Sequence, residues 1–232
     1  MLMKMHYLLR CCRVLLFLFF PVVVWGRPPF AFPHFGLKVG GVSALLSARW
    51  GLKDSVSGDL NGDGRPDMAV VLEYTDMVTE LRPDSIVNTG KPRILLVLLR
   101  DSIGDGYRVA VQNNTFLLRD GELDMGRGDP YSGLGIWKGV LRVSFQFTRS
   151  SMFYEFRYRG RAFYLIGAGN AEGSSHHFES WDYNFSTKRA KHEWANEDDV
   201  NHVEWLRFTM APVLLQEMKK PRMLNVFEDG DI

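Results

Sequence analysis

Cysteine is almost missing from this chain: two occur in 232 residues, Cys11 and Cys12, side by side near the start. No disulfide framework can therefore tie together the 220 or so residues that follow, roughly counted. A strong charge of one sign is missing too. The formal net charge is +1, which offers no electrostatic footprint for nucleic acid. There is no fixed-period repeat, no low-complexity tract and no linker that would separate domains, so a single β-rich domain is the simplest account. Neither Gly-x-Ser-x-Gly nor His-Glu-x-x-His occurs, and with them go two familiar hydrolase signatures.

An apolar run long enough to span a bilayer is also lacking. The longest uncharged stretch near the N-terminus, "VLLFLFFPVVVW" at residues 14–25, is 12 residues long and is interrupted by Pro21, whereas a span needs about 20. Lys4, Arg10 and Arg13 precede it, and Val24-Trp25-Gly26 follows with small residues at the two positions a signal peptidase reads. Residues 1–26 thus read as a secretory signal peptide, cut after Gly26, and residues 27–232 as a single β-rich exported domain. Cleavage removes three basic residues and no acidic one, which moves the net charge from +1 to −2. Both cysteines leave with it. They lie ahead of the apolar core, where a lipoprotein's modified cysteine would follow it, so the expected location is periplasmic or secreted, with no stable membrane span.

What is present points to strands. Apolar residues at 46% and charged residues at 24% match a soluble globular chain, and aromatics at 13% with 22 glycines lean toward pleated surfaces and tight turns. "MAVVLEY" (68–74), "RILLVLLR" (93–100) and "YRVAVQNNTFLL" (107–118) are short apolar runs between Gly, Pro, Asn and Asp clusters. The run at 94–99 is apolar on both faces and belongs in the middle of a sheet. Further on, Leu141, Val143, Phe145 and Phe147 alternate with polar residues, and Tyr154, Phe156 and Tyr158 alternate with Phe153, Glu155, Arg157 and Arg159. Arg159-Gly160-Arg161 reads as the turn of a hairpin into "AFYLIGAG". "VSALLSARW" (42–50) suggests a short helix, 180–194 one more strand with a polar turn, and the acids at 197–199 suit a helix start that Pro212 would keep short. The expected fold is mainly β, an antiparallel meander, sandwich-like or partial-propeller-like sheet, with few short helices.

One stretch carries specific chemistry. In "GDLNGDGRPDMAVVLEY", Asp59, Asn61, Asp63 and Asp67 stand at relative positions 1, 3, 5 and 9, with Gly64 at 6 and the Arg65 carbonyl at 7. A loop wrapped around calcium offers oxygen at alternate positions, a glycine for the sharp turn and one backbone carbonyl. Position 12 is Val70, where a helix-loop-helix hand would need a bidentate glutamate, so this loop leads into a strand. In that it resembles the calcium loops of FG-GAP and VCBS-type (integrin-like) repeats, in which such a loop precedes a β-strand. There is one good copy, since "DSIGDG" and "EDGDI" lack the spacing, and a multi-bladed propeller is not supported. Over residues 55–190 the pattern is similar to that of exported bacterial proteins of uncharacterised activity with one such loop; Ser186-Thr187-Lys188 departs from their more usual Thr-Gly-Lys. The resemblance implies a structural calcium and no particular activity. Asn-Gly and Asp-Gly also form turns without metal, but three acids within nine residues repel one another in an empty turn.

Other clusters read as structure. "SSHHFESWD" (174–182) gathers serines, His176, His177, Glu179 and Asp182, which would suit a serine nucleophile or a zinc site. Adjacent histidines point to opposite sides of a strand, so a polar strand end is the plainer reading. Arg127-Gly128-Asp129 matches an integrin-binding tripeptide but sits as a Gly-rich turn before a strand. "GAGNAEG" (167–173) lacks the dinucleotide fingerprint. The sequons at Asn113 and Asn184 matter only in a glycosylating cell. The series Tyr154, Phe156, Arg157, Tyr158, Arg159, Arg161 and Tyr164 reads as one core face and one solvated face. The leading expectation is an exported, non-enzymatic, calcium-binding β-rich protein with no catalytic residues and a binding or envelope-associated role toward another envelope or secreted protein. Two alternatives stand beside it: a periplasmic inhibitor or immunity protein against a toxin or hydrolase, and a hydrolase using the His176/His177 region.

Overall fold

The computed structural model describes residues 30–81, 87–102, 104–120, 128–174, 177–195 and 200–221. The expected signal peptide lies outside them, as do Ser175, His176 and the acids at 197–199. The fold is mainly β. Among the described residues the helical turns are two short 3₁₀ segments, Val42–Leu45 and Leu215–Glu217, and no helix is long and apolar enough to cross a membrane.

Five strands make the first sheet: β1 (Lys38–Val39), β2 (Trp50–Gly58), β3 (Asp67–Tyr74), β6 (Arg93–Arg100) and β7 (Tyr107–Asn113), in the order β1-β7-β6-β3-β2. A small hairpin, β4 (Val78–Leu81) with β5 (Val87–Gly90), stands apart. Seven strands make the second sheet as an uninterrupted antiparallel meander: β8 (Tyr131–Trp137), β9 (Val140–Gln146), β10 (Ser150–Arg159), β11 (Ala162–Ser174), β12 (His177–Asn184), β13 (Arg189–Ala195) and β14 (Asn201–Arg207).

The expected two-faced run sits where its composition requires, as the middle strand β6. Leu95, Val97 and Leu99 face one core with Ala69 and Val71, while Ile94, Leu96 and Leu98 face another with Val70 and Leu72. The first core is the interface of the two sheets, closed from the other side by Leu141, Val143, Phe145, Tyr154, Phe156 and Phe163. Phe116 plugs it, meeting Phe145, Tyr154 and Phe156 edge to face at 5.3–5.8 Å. The second core is covered by the N-terminal segment, whose Phe30 packs on Tyr74 and whose Phe30 and Phe32 both pack on Trp50 of β2. Each of these faces buries apolar side chains, which is the dominant favourable term in folding.

The hairpin expected at residues 159–161 is present. Arg159 pairs with Ala162, and Gly160 (φ 53°) with Arg161 (φ 70°) make a two-residue turn with both φ positive, whose twist matches that of the strands. Lys138 (φ 49°) and Gly139 (φ 74°) do the same between β8 and β9.

Four expectations are corrected. Where the acids at 197–199 suggest a helix ahead of Pro212, the described residues form strand β14, paired to β13 at the edge of the meander. The short helix at 42–50 is a single 3₁₀ turn, and Trp50 already opens β2. The strand expected over 107–118 stops at Asn113, because its Oδ1 accepts the N–H groups of Thr115 and Phe116 and turns the chain. The single strand expected across 180–194 is two, β12 and β13, joined through residues 185–188.

Candidate functional site

The acidic loop is the β2–β3 connection, closed at its base by the Gly58–Asp67 pair. It leads directly into a strand, and Val70 at position 12 is fully buried in β3. Gly62 (φ 81°) and Gly64 (φ 79°) supply the left-handed backbone that lets the chain curl. The oxygens at positions 1, 3 and 5 turn inward onto the loop's own backbone. Asp59 Oδ1 accepts from Gly62 N at 2.7 Å and its Oδ2 from Gly64 N at 2.9 Å; Asn61 Oδ1 accepts from Asp63 N, and Asp63 Oδ1 from Arg65 N, each at 2.9 Å. The Arg65 guanidinium leans back to Asp63 Oδ2 at 3.3 Å and also donates to the Asp101 carbonyl. The backbone hydrogen bond from Arg65, then that from the Asn61 amide, hold the Asp63 carboxyl below its usual range.

Asp67 differs from the other four. It is wholly buried, and its carboxylate collects three backbone N–H groups: Leu60 at 2.9 Å and Asn61 at 3.2 Å on Oδ2, and Arg100 at 2.8 Å on Oδ1. One side chain thus fastens the loop to its own strand and to the end of β6. Burial pushes its pKa up, against the pull of those three donors. The donor set of the loop is all oxygen, which suits a hard cation. The Asp59, Asp63 and Asp67 carboxylates do not come within 4.8 Å of one another as a group.

The β8–β9 turn lies against this loop. A Cβ on Gly139 would sit 3.8 Å from the Asp59 carbonyl, and the neighbouring Trp137 is 74% exposed with Lys138 Nζ 5.3 Å from its ring. A shallow cleft runs between Asp59 and Gly62 on one side and Ile136 and Trp137 on the other.

A second constellation lies on β11–β14. Directly paired residues share a face of an antiparallel sheet, and the register aligns Glu172 with Glu179, Trp181 with His192, Glu179 with Trp194, and Trp194 with His202. The rings stack in sequence across three strands: Trp181 on His192 at 3.9 Å, His192 on Trp194 at 4.4 Å, Trp194 on His202 at 5.1 Å. Glu179 Oε1 accepts from Trp181 Nε1 at 3.0 Å and lies 2.9 Å from His192 Nε2, while its Oε2 lies 3.6 Å from His177 Nε2. The hydrogen bond from Trp181 is the main reason the Glu179 carboxyl is held below its usual range. Among the described residues, Glu172, His177 and Glu179 are the group of three or more whose ligand atoms all approach within 4.8 Å. The strand-end cluster marked His177 and Glu179; Glu172, His192 and His202 escaped because their neighbours come from other strands. The period-2 spacing of His192 with Trp194 and of His202 with Glu204 is the signal that carries the two histidines.

The remaining motifs fall into structural places. Asp129 of the tripeptide is bound by Arg93 and Lys53, and Arg127 lies outside the described residues. Residues 167–173 are strand β11. Tyr154 and Phe156 are buried, whereas Arg159 and Arg161 are exposed. Asn113 is buried, its amide donating to the carbonyls of Leu215 and Met218. Comparison with protein-family models, with curated proteins and with solved structures yields no match.

Proposed function

We propose that this chain is an exported, non-enzymatic, calcium-binding protein in which the ion clamps the β2–β3 connection, and that its role is to bind another envelope or secreted protein. The inward turn of Asp59, Asn61 and Asp63 around Gly62 and Gly64, at the mouth of a strand, carries this reading. Asp59, Asn61, Asp63, the Arg65 carbonyl and Asp67 would hold the ion, which supplies the positive charge that three acids in nine residues require. Asp59 and Asp63 exchange backbone N–H partners, and Asp63 its Arg65 partner, for the cation. Binding only to the folded chain then adds stability by mass action, about 2.7 kcal/mol when calcium is at a hundred times its Kd. For a chain without disulfides beyond residue 12, such a clamp is a substitute staple.

Thermal unfolding of the chelator-treated protein, with and without calcium, tests this. The melting temperature is expected to rise with calcium, to rise much less with magnesium, and to lose its response in Asp63→Ala. A wild-type protein that melts identically in calcium and in chelator overturns the reading.

A further inference from the structure

We infer that the meander sheet carries a second metal site, for a divalent transition ion of the zinc class, formed by Glu172, His177 and Glu179 at the β11–β12 end. The three ligand atoms lie within 4.8 Å of one another. His177 Nε2 and Glu179 Oε2 are 3.6 Å apart, close to the roughly 3.4 Å separating two ligands that each stand about 2.0–2.1 Å from a tetrahedral zinc. One imidazole nitrogen and two carboxylates are a borderline donor set, unlike the all-oxygen loop on the other sheet, and they select zinc, copper or nickel over calcium. Three protein ligands at an exposed strand end leave a fourth position open to water or to a partner's side chain.

A second observation separates this group from an ordinary surface cluster. Glu179 is oriented from behind: Trp181 Nε1 donates to its Oε1 at 3.0 Å and His192 Nε2 lies 2.9 Å from the same atom, so Oε2 is the oxygen left facing His177. His192 is itself sandwiched between Trp181 and Trp194 at 3.9 and 4.4 Å. Orientation of a ligating carboxylate by fixed hydrogen bonds is the arrangement that tunes metal sites, and its loss costs about 10–100-fold in affinity. Trp181 and His192 are positioning residues here; Glu172, His177 and Glu179 touch the ion. The rings also give the site an optical reporter, because copper or nickel held at Glu179 lies beside the indole of Trp181.

The test uses the full exported chain, stripped with chelator, titrated with zinc by calorimetry and with copper by tryptophan fluorescence. One equivalent of zinc is expected, with stoichiometric quenching by copper. His177→Ala and Glu179→Gln each lose at least about tenfold in affinity, Trp181→Phe loses about tenfold, and Asp63→Ala binds zinc as the wild type does. The last variant keeps this result distinct from the fate of the calcium loop. Absence of saturable zinc binding overturns the proposal. So does binding that His177→Ala and Glu179→Gln leave unchanged while their circular dichroism shows a folded chain.

Discussion

Arg93 and Asp129 meet in a two-pronged ion pair, Nη1 to Oδ1 at 2.7 Å and Nη2 to Oδ2 at 2.6 Å, with the arginine side chain wholly withdrawn from water. The same guanidinium donates from Nε to Glu73 at 2.8 Å and from Nη1 to the Leu118 carbonyl at 2.6 Å, and Lys53 reaches Asp129 at 2.8 Å. The pair therefore ties β6 of the first sheet to the segment that enters β8 of the second. Burial disfavours the arginine charge, and the bonds to Asp129 and Glu73 outweigh it.

Breaking such a pair leaves a buried charge short of a partner. Asp129→Ala is expected to destabilise the protein by about 3 kcal/mol, read from the midpoint of urea unfolding. Arg93→Met, which removes the charge that needs a partner but strands Glu73 and Asp129 beside Lys53, should be destabilising as well.

The same aspartate sets a pH dependence. Burial pushes its carboxyl up, but the hydrogen bonds from Arg93 and Lys53 outweigh burial and hold it below its ordinary 3.8. With a folded value depressed below the unfolded one, its contribution is full above the unfolded value and is lost as pH falls through the folded one. Unfolding midpoints measured downward from about pH 4 should fall, and Asp129→Ala should flatten that slope.

Asp67 works in the opposite direction. Its carboxyl is raised by burial, so between its unfolded and folded values the native state holds more protons and stability declines as pH rises. Replacing it with asparagine sets an NH₂ where the Oδ2 atom accepts from Leu60 and Asn61, or, if flipped, where Oδ1 accepts from Arg100. A buried N–H loses its acceptor either way. Asp67→Asn is expected to cost about 1–3 kcal/mol despite relieving a desolvated charge, measured by denaturant unfolding in chelator.

Backbone contact governs another position. A Cβ at Gly169 would stand 2.5 Å from Phe153 Cε1 and 3.0 Å from the Trp181 carbonyl, which belongs to the adjacent strand and cannot swing away. Gly169→Ala should cost about 1–3 kcal/mol. At Gly135, in β8, nothing lies within 4 Å of the added carbon, and Gly135→Ala should change the melting temperature little. A protein that tolerates both equally would show that β11 and β12 are further apart than described.

Phe116 is the last of these tests. It is fully buried, away from any strand, and touches three aromatic rings of the second sheet. Phe116→Ala opens a void between the sheets and is expected to cost about 3–5 kcal/mol, with a matching drop in thermal midpoint.

Much of the sheet was legible because burial leaves a period in the sequence. Ile94 to Leu99 are apolar at every position because both faces of β6 are covered, and the alternation at 141–147 marks β9, whose one face meets the core. The turn at Gly160-Arg161 follows from its length between two such strands. Strand β2 was not legible. Its "WGLKDSVSG" is polar and glycine-bearing because it is an edge strand with little to bury, and its pairing to β3 supplies the hydrogen bonds that its side chains do not advertise. Strand β14 escaped for the same reason, lying at the open edge of the meander.

The order of residues alone settles the all-oxygen chemistry of residues 59–67, because alternate spacing within one loop is local, and it settles the mainly β character, because side-chain period is local too. Which distant groups meet is not a local property. Only the tertiary fold buries Asp67 against the Arg100 amide, gives Arg93 its partner 36 residues away, and aligns Glu172, Glu179 and His192 on one face of three strands. Register does this: a one-residue slip would turn every one of those side chains to the opposite face.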